Sequence, residues 1–280
     1  MKGRLELDEA PTSVLVVGAG VSGLAAAAEL SEAFPTTVID RLPVVGGIAT
    51  GYENESVKSL KRRCDASGAR FVLGTTALRW SPERRLLIAG PAGIEWLPGR
   101  HLVYAGGTRP CTQAELRIVG DRLAGVVQAT VAYHLLEIGV RLGERVVVVG
   151  TGDWAKRVGH LLEEQDCYTC VVPTGGESDR PDFGDEWWPG WVPVKVRGDR
   201  RVREILLAKG DLQERILCDA VMLAGGARPM RNIDGAIFEE MSDSVTYIQL
   251  VAESTTIGQL AAHATELATQ LVDGLGRETT

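Results

Sequence analysis

Two stretches of the chain are apolar without alternation: Val14-Leu15-Val16-Val17 and Val146-Val147-Val148-Val149. Runs of this kind, with no polar face, predict strands buried on both sides. Each is followed at once by a glycine-rich turn and then by a stretch suited to a helix, Leu24 to Leu30 in the first case and Lys156 to Leu162 in the second. Beyond Pro35, Thr37-Val38-Ile39 reads as a further strand ending at Asp40, and Cys167 to Val172 is its counterpart, ending at Pro173-Thr174. A last helix is expected around Thr256 to Leu275. Strands alternating with helices in this way predict an α/β protein with parallel sheets.

Composition narrows the function classes. A net charge of −7 with no basic block argues against a nucleic-acid partner, since such binding rests on phosphate neutralisation. No apolar run approaches the roughly 18 residues that suggest a membrane span. The polar, acidic start, Met1 to Pro11, does not read as a signal peptide. Five cysteines, several in expected strands, fit a reduced, cytoplasmic setting. The 33 glycines cluster beside the apolar runs, as tight strand-to-helix turns require.

The two turns carry the chemistry. Gly18-Ala19-Gly20-Val21-Ser22-Gly23 is a G-x-G-x-x-G with a strand before it, a helix after it and an acid at the end of the next strand. In that pattern the first glycine allows the turn, the second lets a pyrophosphate reach the backbone, and the third lets helix and strand pack closely. The unpaired N–H groups of the helix start attract the phosphates, and Asp40 is placed to accept hydrogen bonds from a ribose. Gly150-Thr151-Gly152-Asp153-Trp154-Ala155 is a second copy with alanine in third place. It is poorer. Trp154 is bulky, Asp153 adds negative charge where a pyrophosphate would lie, and neither an acid nor an arginine pair follows the next strand, Glu177 and Arg180 being distant. It reads either as an NAD(P) site or as a fold kept without its ligand.

With these turns go Val45-Gly46-Gly47-Ile48 and two matching segments, Leu102-Val103-Tyr104-Ala105-Gly106-Gly107-Thr108-Arg109-Pro110 and Val221-Met222-Leu223-Ala224-Gly225-Gly226-Ala227-Arg228-Pro229. In this combination the chain resembles the pyridine nucleotide–disulfide oxidoreductase superfamily. The resemblance implies two Rossmann-like dinucleotide-binding domains, the second inserted in the first: an FAD-binding domain from residues 1–128 and 226–280, and an NAD(P)-binding-like domain from 129–225. It implies FAD held non-covalently by Gly18, Ala19, Gly20, Val21, Ser22, Gly23, Asp40, Arg41, Gly46, Gly47, Ala77, Ala105, Gly106, Gly107, Glu253 and Ile257. For NAD(P) the corresponding residues are Gly150, Thr151, Gly152, Asp153, Ala155, Gly225 and Gly226. The linker Gly125-Val126-Val127-Gln128-Ala129-Thr130 resembles that of dye-linked amine, opine and proline dehydrogenase subunits and their cyanide-synthase relatives, which implies dehydrogenase or iron–sulfur partner subunits.

The departures matter as much. Cys167-Tyr168-Thr169-Cys170 has dithiol spacing but follows the second fingerprint, on an expected strand, where residues three apart point to opposite faces. Buried structural thiols are the favoured reading, with Cys64 on a helix, Cys111 after a turn and Cys218 in a strand. Leu250-Val251-Ala252-Glu253 stands where the family carries Gly-Asp, so Glu253 takes the ribitol role from a longer arm. Trp187, Trp188 and Trp191 form either a packed loop or a subunit contact. The four histidines, His101, His134, His160 and His263, show no metal-ligand spacing, and no side chain stands out as acid, base or nucleophile. The expected function is that of an FAD-containing oxidoreductase or electron-transfer subunit, exchanging electrons with a small molecule, NAD(P)H or a protein. The alternatives are a structural subunit of a dehydrogenase complex and a disulfide reductase using Cys167 and Cys170.

Overall fold

In the computed structural model, residues 12–47, 55–174, 179–230, 243–248 and 256–277 are described. β1 (Val14–Val17) leads through a glycine turn into α1 (Val21–Ala33), and β2 (Thr36–Ile39) returns beside β1. α2 (Glu55–Ala66) and β3 (Arg70–Val72) follow. β4 (Thr76–Trp80), β5 (Arg85–Gly90) and β6 (Gly93–Pro98) then form an antiparallel meander, and β7 (His101–Tyr104) pairs with the free side of β1.

β8 (Thr108–Arg109) leads to β9 (Val126–Gln128), α3 (Ala129–Glu137), β10 (Arg145–Val149), α4 (Asp153–Glu164), β11 (Tyr168–Val172) and β12 (Glu186–Trp187). A second antiparallel meander comprises β13 (Val192–Gly198), β14 (Val202–Lys209) and β15 (Leu212–Leu217), after which β16 (Ala220–Leu223) rejoins the parallel sheet. β17 (Arg228–Pro229), β18 (Val245–Tyr247) and α5 (Ile257–Arg277) complete the chain, β17 pairing with β8.

The chain forms two compact units. The described residues up to Gly107, with Pro229, Met230 and those from 243 onward, make the first; those of Thr108–Arg228 make the second. The second unit is thus inserted in the first. Its limits differ from the 128 and 226 expected from sequence. Residues 108–128 belong with the second unit because β9 pairs with β16, Val126 opposite Val221, as the edge of its sheet. The expected linker is therefore a strand and the first turn of α3.

The first unit holds a five-stranded parallel sheet in the order β18-β7-β1-β2-β3, and the second one in the order β12-β11-β10-β16-β9. Both apolar runs owe their lack of alternation to layers on each face. Val14 and Val16 pack with α1, α2 and α5, whereas Leu15 packs with Trp80, Leu86 and Ile88 of the meander. Likewise Val146 and Val148 face α3 and α4, while Val147 and Val149 face Ile205, Leu207 and Ile216. A strand clothed on both sides has no position left for a polar residue. In α1, Ala25 to Ala28 are all buried, so the helix meets its neighbours along small side chains. Among the described residues no helix is long and apolar enough to cross a membrane.

Candidate functional site

β1 and β10 occupy the same place in their sheets, and the turns that follow them are built alike. Gly18 N–H donates to Ile39 O and Gly150 N–H to Val172 O, both at 2.8 Å. Ala105 N–H donates to Val17 O at 2.8 Å and Ala224 N–H to Val149 O at 2.9 Å. Each turn therefore sits at the carboxyl ends of its strands, where neighbouring connections leave in opposite directions, which is where open α/β sheets bind ligands.

The three glycines of the first turn have three different causes. Gly18 has φ +106°, and a Cβ there would lie 2.3 Å from Ala105 O. At Gly23 a Cβ would fall 1.8 Å from Gly18 O, so α1 starts in direct contact with the turn. Gly20 has an ordinary φ of −75°, and the nearest atom to a Cβ there is Gly47 Cα at 3.8 Å. The fold therefore explains Gly18 and Gly23 but not Gly20. Gly20 is also the N-cap of α1, with no side-chain cap and no acid in the first turn. The N–H groups that begin a helix lack intrahelical partners and carry partial positive charge.

Asp40 stands beside this turn. One carboxylate oxygen accepts from Ala19 N–H at 2.6 Å and the other from Leu42 N–H at 2.7 Å. The side chain placed from sequence as a ribose acceptor thus also braces the glycine turn. Gly46 N–H donates to Ala19 O at 2.8 Å, and Gly46 forms a bridge with Gly20. A Cβ on Gly47 would lie 3.0 Å from Gly20 Cα, so two side-chain-free backbones run in contact. Val21 is buried, Ser22 half-buried and Arg41 exposed. Ala105 is buried behind the turn, Gly106 lies against the Tyr104 ring, and Gly107 has φ +74°. Ala77 is in β4, in the core between meander and sheet, and Ile257 opens α5 against the helical core that also includes Ala19 and Val21. Glu253 and Ala252 lie outside the described residues, as do Ile48 and Glu177.

In the second turn, Gly150 (φ +124°) abuts Gly225, a Cβ there lying 2.5 Å from Gly225 N. Gly152 caps α4, Thr151 is half-buried beside it, and Asp153 lies in the first helical turn. Ala155 is fully buried with its methyl in place, and Gly226 lies against Cys111 Sγ. Trp154 lies in the first turn of α4. Its ring packs edge-on against Tyr133 of α3, with centroids 6.0 Å apart.

Cys167 and Cys170 lie on opposite faces of the second sheet, the first in the α3–α4 core and the second beneath the meander. Both are free, as are Cys64, Cys111 and Cys218. Burial pushes the Cys170 thiol up to about 12, with further help from Glu186, and raises Cys167 as well. This geometry supplies no dithiol. Cys218 lies just before β16 rather than within a strand, because Asp219 turns the chain there to accept from Glu144 and Arg145 N–H groups. Trp188 and Trp191 meet edge-on at 5.7 Å and pack on the core of their own unit, and Trp188 Nε1 donates to Glu186 at 3.1 Å. His101 is buried, with Nε2 at 2.9 Å from Thr246 Oγ1, and no group of metal-ligating side chains occurs among the described residues.

One cluster was missed in the sequence, although Thr112-x-x-Glu115 has capping-box spacing. Glu115 accepts from Thr112 N–H at 2.7 Å and from Arg109 at 2.8 and 3.0 Å. Arg109, and then the Thr112 amide, hold its carboxyl at about 2, below its ordinary 4.5. A lowered folded-state pKa stabilises above the ordinary value and loses that contribution as pH falls from about 4.5 to about 2. The pair is about a third exposed and screened by solvent, so Glu115→Gln is expected to cost only about 0.5 kcal/mol at neutral pH and much less at pH 2, read from urea titrations at both pH values.

Residues 16–81 match a family described as an NAD(P)-binding Rossmann-like domain. No curated protein matches the chain in sequence. Among solved structures, L-proline dehydrogenase from P. horikoshii is similar with a TM-score of 0.65 and 16% identity, over 96% of this chain and 57% of that one. A NAD-dependent persulfide reductase from A. fulgidus gives 0.67 and 16%, over 93% and 59%. T. acidophilum thioredoxin reductase gives 0.64 and 15%, over 94% and 99%. The chain therefore spans under two thirds of the first two proteins and nearly the whole of the third. At these identities the likeness to the solved structures is one of fold alone, and the family match is to a Rossmann-like domain over residues 16–81.

Proposed function

We propose that the first unit binds FAD and that the protein is a flavin-dependent oxidoreductase or electron-transfer subunit. The observation that carries this reading is Gly20, a glycine at an uncapped helix start that the fold itself does not require. A ligand that needs the backbone there gives it a reason. The N–H groups opening α1 would hold the diphosphate, with Gly46 and Gly47 as a side-chain-free wall alongside. Asp40 would accept from the ribose while keeping Ala19 and Leu42 in place, since each carboxylate oxygen has a second lone pair. FAD, if bound there, would supply the redox chemistry, and the chain's own residues would serve to bind and orient it. The buried, separated thiols at Cys167 and Cys170 weigh against disulfide chemistry.

Heating the purified protein and identifying the released nucleotide tests the proposal. FAD in about one equivalent, with a flavin spectrum before release, is the expected result. A nicotinamide dinucleotide instead would favour a second reading, in which residues 16–81 hold NAD(P), the group their matching family names. A colourless protein that takes up no added FAD would overturn the flavin assignment.

Asp40→Asn separates the two duties of the carboxylate. The amide oxygen still serves Leu42 N–H, but the amide nitrogen cannot accept from Ala19 N–H. A partly buried donor left unpaired costs about 1–3 kcal/mol. The expected outcome is a loss of that size in thermal stability together with a roughly tenfold or greater loss of FAD affinity, measured by denaturation and by flavin titration.

A further inference from the structure

We infer that the second unit, although built on the same turn as the first, does not take a nicotinamide dinucleotide. The inference goes beyond the FAD assignment and stands apart from it, because it concerns only the crevice at the carboxyl end of β10.

The shared hydrogen bonds put the two units in register: Gly150 corresponds to Gly18, Val172 to Ile39, and therefore Pro173 to Asp40. Pro173 carries no side-chain acceptor and is buried. The ribose acceptor of the first turn thus has no equivalent at that place.

The direction of the chain beyond the strand differs as well. After β2 the backbone of residues 40–42 pairs with the segment that follows β3, on the side away from β1, while the Asp40 side chain reaches back to Ala19. Thr75 N–H donates to Asp40 O at 2.8 Å and Gly74 N–H to Leu42 O at 3.0 Å. After β11 the chain goes the other way. The Thr174 side chain packs on Gly225, so closely that a Cβ on Gly225 would lie 2.2 Å from Thr174 Cγ2 and 2.6 Å from its Oγ1. Thr174 follows β11 and Gly225 follows β16, and these strands flank β10 on opposite sides. To touch Gly225, Thr174 must therefore cross the end of β10, above Gly150, which itself abuts Gly225. A dinucleotide at such a turn passes over the central strand from one flank to the other. The threonine side chain lies on that path, and the neighbouring proline offers nothing in exchange for displacing it. The group implied by the fold does not fit here, and the electrons of a flavin in the first unit would not come from NAD(P)H bound in the second.

The test uses full-length protein carrying Gly20→Val, so that the first unit cannot answer for the second. NADH and NADPH are titrated by calorimetry and by energy transfer from tryptophan, Trp154 lying in the first turn of α4. No saturable binding up to about 1 mM is expected. In the same background, Pro173→Asp with Thr174→Gly restores an acceptor and clears the path, and is expected to bind NADH at least about tenfold more tightly than its parent. Saturable sub-millimolar NADH or NADPH binding without those two changes would overturn the inference. A double variant that keeps its circular dichroism spectrum yet gains no affinity would overturn the assignment to Pro173 and Thr174. FAD retention by the wild type is read separately: protein that holds FAD and also binds NADH in the second unit refutes this inference alone, while protein that holds neither nucleotide refutes only the FAD proposal.

Discussion

Gly20→Val is expected to leave the protein folded and to abolish binding at the nucleotide site proposed for the first unit. Among the described residues the Cβ of any residue there meets nothing nearer than 3.8 Å, and the backbone has a φ that all residues adopt. Thermal denaturation should therefore show only a modest loss, about 1 kcal/mol, the cost of a β-branched residue in place of glycine at an N-cap. The valine branches, however, stand where a diphosphate would meet the start of α1. Several charge-assisted hydrogen bonds of about 1.5–3 kcal/mol each are lost together, so FAD affinity should drop by about a hundredfold or more. A folded Gly20→Val protein that still copurifies with stoichiometric FAD would remove the basis of the functional proposal.

Three residues on, the same kind of change has the opposite outcome. Gly23→Val is expected to unfold the first unit or to cost about 3 kcal/mol or more, because its Cβ would sit 1.8 Å from Gly18 O, a backbone atom with no means of yielding. Added FAD should not restore the loss. Urea unfolding followed by circular dichroism, with and without FAD, measures both points. Near-native stability for Gly23→Val would mean that α1 does not begin in contact with the turn. The second unit offers an internal comparison: Ala155 in the corresponding place carries its methyl fully buried, so α4 leaves the space that α1 does not.

Much of the candidate site was legible in the sequence because its parts are close together in the chain. Gly18, Gly20 and Gly23 span six residues, and Asp40 follows one strand later, so local spacing alone suggested a phosphate turn and a ribose acceptor. What spacing could not separate was the work of each glycine. Gly18 is fixed by Ala105, far along the chain, and Gly20 is distinguished only by the absence of any such neighbour among the described residues. The second duty of Asp40, bracing Ala19, was likewise out of reach, since it depends on how β2 sets its end against the turn.

The sequence by itself determined the two strand–turn–helix units and the parallel sheets built on them. Each follows from local propensity and from apolar runs that only a doubly covered strand can carry. Tertiary structure alone decided where the units divide, what covers the outer face of each sheet, and which way the chain turns after β2 and β11. Those outcomes rest on contacts between distant residues, such as Leu15 with Trp80, Val126 with Val221 and Thr174 with Gly225, whose energies depend on shape and distance and leave no mark in the order of the amino acids.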